Sequence, residues 1–210
     1  MPQKIATELI TICHRVEHKG FVTATDGNIS ARLQNGNILT TPTSLNKRFV
    51  QIEDLVEVTL AGQHVRGTRK ASSELQMHLF VYRNREDVNA VVHCHPTYAT
   101  GFAAARIPLT SNVFPEVVIG LGDIPLAEYA TPSTAEVSES LKPFVQNSSA
   151  ILLSNHGVVT YGKSLWDAYF KMEKVEHLAQ MLFVAKMLGG EKTITDDQVQ
   201  NLKKAFLAVK

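Results

Sequence analysis

Cysteine is scarce in this chain: Cys13 and Cys94 are the only two, too few to staple the fold with a disulfide framework. A charged start, apolar core and small-residue cleavage site are missing too, so no secretory signal is read and a reducing, cytoplasmic compartment is expected. There is no excess charge of one sign. The 21 basic and 20 acidic residues leave a formal net charge of +1, and no basic cluster exceeds Lys47-Arg48, Arg69-Lys70 or Lys203-Lys204. Such a distribution argues against a nucleic-acid partner and against a membrane surface. The apolar runs fall far short of the roughly 20 residues a membrane-spanning helix needs. Repeats, low-complexity tracts and Pro/Gly/Ser-rich linkers are not found, which leaves no place to split the chain. With 44% hydrophobic and 20% charged residues in a chain of 210, one folded domain over 1–210 is expected, long enough to bury a substantial core.

The patterning that is present alternates between helix and strand. Ile5, Leu9, Ile12 and Val16 recur at helical spacing and Gly20 follows at a closing position, so a helix is expected over 3–19. It carries His14, Glu17 and His18; an i, i+4 histidine pair can grip a metal, but a solvated face is the more ordinary role for such residues. Strand-prone pieces at 28–33 and 37–41 flank Asn35-Gly36, a strong hairpin turn. Residues 55–60 alternate as a further strand, and Ala61-Gly62-Gln63 turns into His64-Val65, with His64 read as exposed. A helix starting near Ser72-Ser73, capped by one of the serines, is expected to run through Leu75, Leu79, Val81 and Tyr82. Residues 90–95 and 150–160 read as buried strands. The longest helix is expected over 164–188, with Ser164 and Asp167 as its capping pair and Gly189-Gly190 as its end; Thr195 caps a short last helix.

Chemistry concentrates on three histidines and a glutamate. On a strand, side chains alternate faces, so His93 and His95 of His93-Cys94-His95 point the same way and can hold one ion while Cys94 points away. Two histidines could equally be hydrogen-bonded core residues. His156, at the end of an apolar run and followed by Gly157, which permits close backbone approach, supplies a third ligand. Imidazole-rich sites suit zinc first, with manganese, iron, cobalt or nickel as alternatives, rather than magnesium or calcium. Glu74, just inside a helix N-terminus, is placed to complete such a site, although a helix-start glutamate is also ordinary. Ser72 and Ser73 share that terminus, where hydroxyls and free N–H groups can cradle a phosphate. The small-residue turns Thr25-Asp26-Gly27-Asn28 and Thr41-Pro42-Thr43-Ser44 can expose backbone donors to an anion. His78 and His177 are read as packing or surface residues.

Taken in order, Asp26-Gly-Asn-Ile-Ser-Ala-Arg32, Thr41-Pro-Thr-Ser44, Ser72-Ser-Glu74, Ala90-Val-Val-His-Cys-His-Pro96 and Ser154-Asn-His-Gly157 resemble the class II aldolase/adducin family over nearly the whole chain. The resemblance implies an α/β fold, a three-layer α/β/α sandwich with a largely antiparallel central sheet, assembled as a homotetramer with active sites at subunit interfaces. It implies that His93, His95 and His156 are metal ligands, that Glu74 ligates the metal and shuttles protons, and that Gly27, Asn28, Thr43, Ser44, Ser72 and Ser73 bind the substrate phosphate. The implied reaction is metal-dependent cleavage of a ketose 1-phosphate to dihydroxyacetone phosphate and an aldehyde.

Two departures bear on the substrate. Phe114 stands where sugar-phosphate aldolases of the family carry a proton-donating tyrosine, and the chain lacks the further tyrosine found near the C-terminus of the fuculose enzyme. Tyr98, Tyr129 and Tyr161 are replacement donors by residue type only. An apolar Phe114 suits a deoxy or methylthio end, so 5-deoxyribulose 1-phosphate or 5-methylthioribulose 1-phosphate is the preferred substrate. Fuculose-1-phosphate aldolase, pentulose-5-phosphate 4-epimerase and methylthioribulose-1-phosphate dehydratase are the rivals on the same scaffold. The other departure, Ser44 in place of a glycine found in some members, adds bulk beside the phosphate. A non-catalytic, adducin-like scaffold is the rival of another class; members of that kind have lost metal ligands, and all four stand here.

Overall fold

A computed structural model describes residues 3–208. Helix α1 (Gln3–His18) leads into strands β1 (Asn28–Arg32), β2 (Ile38–Thr40), β3 (Val56–Val58) and β4 (His64–Arg66). Helix α2 (Leu75–Asn84), strand β5 (Ala90–Cys94), helices α3 (Thr97–Ala104) and α4 (Pro115–Gly120), strand β6 (Leu126–Ala127) and helix α5 (Ala135–Leu141) follow. Strands β7 (Ala150–Leu153) and β8 (Gly157–Gly162) and helices α6 (Leu165–Met187) and α7 (Asp196–Ala208) complete the order.

The strands form one sheet in the order β4-β3-β2-β1-β5-β8-β7-β6, antiparallel at every pairing except β6 with β7. Period-two alternation divides its side chains between two cores. Ile29, Ala31, Ala90, Val92, Cys94 and Val158 pack with α1, α3 and α6 on one face; Val91, Ile151, Val159 and Tyr161 pack with α2 and α5 on the other. The result is the three-layer α/β/α sandwich expected. His93 follows the parity of Val91 and so lies on the α2 face, where Asn28 is its cross-strand partner.

The hairpin forms as the Asn-Gly signal predicts, with Gly36 at φ +82 and Leu33 N–H bonded to Asn37 O at 2.8 Å. Ser164 caps α6 by accepting from Asp167 N, but Asp167 reaches back to Lys163 N rather than to the cap's own N–H. Two expectations need correction. Residues 150–160 are not one strand but two, β7 and β8, reversed through Ser154-Asn155-His156, where Asn155 takes φ +56. Asparagine tolerates that left-handed conformation, which an apolar-run reading overlooks. The residue at the N-cap of α2 is Glu74, not a serine; Ser72 Oγ accepts from Glu74 N at 3.3 Å, before the helix begins. The segment from 97 to 145, given no elements by pattern, holds three helices and β6.

Candidate metal centre

His93 is fully buried on β5, and its Nδ1–H donates to Val158 O on the neighbouring strand at 2.9 Å. A histidine tied to a carbonyl in this way has a fixed ring and tautomer, leaving Nε2 as the free lone pair. Strand β5 ends at Cys94, so His95 sits one residue past the strand yet keeps the same side. Its Nε2 comes within 3.1 Å of His93 Nε2. His156 arrives from the β7–β8 turn. The nearest ligand atoms of the three rings lie within 4.8 Å of one another.

Glu74 closes the group. Its Oε2 is 3.2 Å from His93 Nε2 and its Oε1 3.0 Å from His156 Nε2. Oε1 is buried and has no hydrogen-bond partner. An orphaned carboxylate oxygen and nitrogen lone pairs converging on one gap form a donor set that fits a divalent cation. Electrostatics point the same way. Burial disfavours ionisation of Glu74, but His93 and His156 outweigh it and hold the carboxyl far below the usual carboxylate range. Burial also resists charge on His93, yet the Glu74 carboxylate lifts it above an ordinary histidine. Burial, with His93 and His156 behind it, holds His95 down at about 3.

Two glycines make the approach possible. A Cβ at Gly157 would meet His95 Cδ2 at 2.5 Å and Cys94 O at 2.6 Å, so only glycine lets β8 start this close to the ligands. Gly27, at φ +72, would put its Cβ into the side chain of Val22 and 2.9 Å from His93 O.

Sequence reading missed what lies behind Glu74. Asn28 Nδ2 donates to Glu74 Oε2 at 2.9 Å; its Oδ1 is 2.6 Å from His78 Nε2. His78, 1% exposed, also meets Ser30 Oγ at 2.7 Å, and Ser30 Oγ meets Tyr82 OH at 2.9 Å. The available signal was spacing: Glu74, His78 and Tyr82 share one stripe of a helix, and Asn28 and Ser30 share one face of a strand. His78 is thus a buried polar link. Of the remaining histidines, His18, His64 and His177 are exposed as expected, and exposed His14 lies 3.2 Å from Val50 O.

The three turns assigned to phosphate do come together. Thr43 N–H bonds Lys70 O at 3.0 Å and Ser72 N–H bonds Thr41 O at 3.3 Å, joining the second turn to the third. Asn46 Nδ2 donates to Ala24 O at 2.7 Å, and Lys47 Nζ to Thr25 O at 3.0 Å and Leu45 O at 2.8 Å, joining the first to the second. Ser44 and Ser73 are exposed, Thr43 and Ser72 half-buried, and Gly27 buried. Asn28 is committed through its side chain to Glu74 and His78.

Of the tyrosines offered as proton donors, Tyr161 donates its hydroxyl to Val145 O inside the α2-side core. Tyr98 packs edge-on against Phe183 with centroids 5.5 Å apart, and Tyr129 is 53% exposed. Phe114 is half-buried at the N-cap of α4, against the core shared with α6.

Sandwich and donor set together define an α/β protein with a candidate divalent-metal site. The chain belongs to the class II aldolase and adducin family: the family's Class II Aldolase and Adducin N-terminal domain matches residues 7–183. As a class II aldolase it is a carbon–carbon lyase of a family that uses a divalent metal. It is 37% identical over 183 residues to an L-fuculose phosphate aldolase of Methanococcus maripaludis, covering 87% of this chain and 98% of that one. It is 31% identical over 207 residues to a 5-deoxy-D-ribulose 1-phosphate aldolase of Bacillus thuringiensis serovar kurstaki, covering 97% and 96%. A 3-oxo-tetronate 4-phosphate decarboxylase of Pectobacterium atrosepticum is 32% identical over 206 residues, covering 95% and 93%. Among solved structures, an L-fuculose 1-phosphate aldolase superposes with a TM-score of 0.90 at 29% identity, covering 98% of this chain and 97% of that one. Among the described residues no helix is long and apolar enough to cross a membrane.

Proposed function

We propose that this chain is a metal-dependent aldolase that cleaves a ketose 1-phosphate to dihydroxyacetone phosphate and an aldehyde, with 5-deoxyribulose 1-phosphate or 5-methylthioribulose 1-phosphate as substrate. His93, His95 and His156, with Glu74 as fourth ligand, would hold one divalent ion per subunit, zinc in the first instance. The observation that carries the reading is the buried Glu74 carboxylate facing three imidazoles with one oxygen left unbonded. One catalytic domain over 1–210 works in the cytoplasm as a homotetramer with interface active sites.

Cleavage removes the proton of the C4 hydroxyl and breaks C3–C4, the bonding pair passing to C3 and the C2 carbonyl while the aldehyde departs. The enediolate left behind takes a proton at C3 to become dihydroxyacetone phosphate. A bound divalent ion supplies Lewis-acid stabilisation of that developing charge. Glu74 takes the C4 hydroxyl proton and returns one to C3, which closes the proton balance. Gly27, Asn28, Thr43, Ser44, Ser72 and Ser73 form the phosphate region, Asn28 at its boundary with Glu74, and a phosphate held there orients the carbonyl end of the sugar. Phe114 in place of a tyrosine fits an apolar deoxy or methylthio end.

The test is a coupled assay for dihydroxyacetone phosphate released from 5-deoxyribulose 1-phosphate, with His93→Ala as control. Release no greater than the control, from metal-loaded protein, overturns the reading. The relative of nearly equal identity named as a decarboxylase favours a second reading, loss of carbon dioxide from a 3-oxo acid phosphate, which leaves an enolate at the same place. Carbon dioxide evolution without ketose cleavage would select it.

A further inference from the structure

We infer that His78 is a positioning residue which, through Asn28, holds the Glu74 carboxylate with Oε2 on the amide and Oε1 turned toward His156. This rests on the reading of Glu74 as the proton-transfer group.

The donors and acceptors admit one arrangement. The Asn28 amide turns its Nδ2 toward Glu74 Oε2 at 2.9 Å, the N–H donating and the carboxyl oxygen accepting. The reverse orientation would set Asn28 Oδ1 against a carboxylate, two acceptors face to face. With Nδ2 so placed, Oδ1 can only accept from His78, whose Nε2 at 2.6 Å therefore bears the proton. His78 Nδ1 is then an acceptor, and Ser30 Oγ, 2.7 Å away, donates to it. Having spent its proton, Ser30 Oγ accepts from Tyr82 OH at 2.9 Å. The chain runs one way, Tyr82 to Ser30 to His78 to Asn28 to Glu74.

Burial holds His78 down at about 3, so the neutral ring this direction requires persists through the working pH range. Asn28, Ser30, His78 and Tyr82 are each at most 3% exposed, which keeps water from substituting for any link. Asn28 in addition neighbours His93 across the β1–β5 pair, so the same amide is registered to a ligand strand. Glu74 Oε2 thus accepts from the Asn28 amide, while Oε1 has no hydrogen-bond partner and faces His156.

The first test needs no turnover. In the metal-loaded protein, ¹⁵N-detected imidazole spectra at pH 7 are expected to show His78 with Nε2 protonated and Nδ1 bare, and Asn28→Ala is expected to abolish that single tautomer. A His78 found with Nδ1 protonated overturns the inference whatever the reaction proves to be. The second test is kinetic. His78→Phe is expected to lower kcat at least about tenfold, within the range seen when outer partners of a metal centre are removed, with KM and bound metal changed less than twofold. His78→Gln, whose amide N–H can still reach Asn28 Oδ1, is expected to recover most of kcat. If His78→Phe does not fold, Ser30→Ala serves in its place with a smaller loss of kcat. Loss of metal in parallel with kcat, or a change in melting temperature alone, would make His78 a merely structural residue and overturn the inference. Wild-type protein that cleaves no ketose 1-phosphate but shows the expected tautomer would sink the aldolase reading and leave the positioned carboxylate standing.

Discussion

Lys47 donates its ammonium group to the carbonyl of Thr25 at 3.0 Å, from a side chain that is only 1% exposed. Its second bond, to Leu45 O, links the turn before β1 to the turn after β2. Burial depresses its pKa, opposed by neighbouring Cys13, Cys94 and, least, Asp26, and the two carbonyls accept its hydrogen bonds.

Replacing this lysine should therefore loosen both turns. Lys47→Met is expected to lose about 1–3 kcal/mol in urea unfolding, the scale of hydrogen bonds made by a charged donor, and to weaken competitive inhibition by inorganic phosphate. Arg48→Met, at the exposed neighbour, should leave both unchanged. Equal effects from the two variants would show that Lys47 has no special part.

Metal content is the most direct check on the centre. His93→Ala is expected to purify with near-zero bound transition metal after supplementation, while His177→Ala, on the exposed side of α6, should match wild type by elemental analysis. Chelation of the wild-type protein should abolish activity and re-addition of zinc restore it.

A single methyl group at Gly157 offers a finer probe. Gly157→Ala places carbon against the Cys94 carbonyl and the His95 ring, and Cys94 O is backbone that cannot swing aside. Metal affinity is expected to fall about tenfold to a hundredfold, as it does when ligand orientation is disturbed. Competition with a chelator measures it, and wild-type affinity in the variant would contradict the packing described.

Acid stability carries the signature of His78. Its pKa in the fold, about 3, lies below that of an unfolded histidine, so the unfolded chain binds the extra proton. Stability from this source is full above about pH 6.5 and falls as pH drops toward 3, by at most about 1.4 kcal/mol per pH unit. His78→Gln is expected to flatten that slope in urea titrations of the metal-free protein between pH 4 and 7. An unchanged slope would mean the acid sensitivity lies elsewhere.

The sequence alone determined much of this protein. Period-two alternation put His93 and His95 on one side, helical periodicity located α1, α2 and α6, and Asn35-Gly36 closed the hairpin, because each of these depends on residues a few positions apart. Side-chain types also marked Glu74 and His156 as candidate ligands. What only the tertiary structure decided were relations between distant segments. His156 reads as the end of a strand, but the left-handed Asn155 makes it the tip of a turn that delivers the ring to β5. Lys47 reads only as half of a small basic pair, yet carbonyls from two separate turns let it be buried. Asn28 reads as a phosphate donor and His78 as packing; pairing β1 with β5 and laying α2 over them makes the two a hydrogen-bonded unit behind Glu74. Local pattern shows which face a residue takes, but the partner that satisfies a buried polar group comes from another part of the chain, and only the packed sheet and helices supply it.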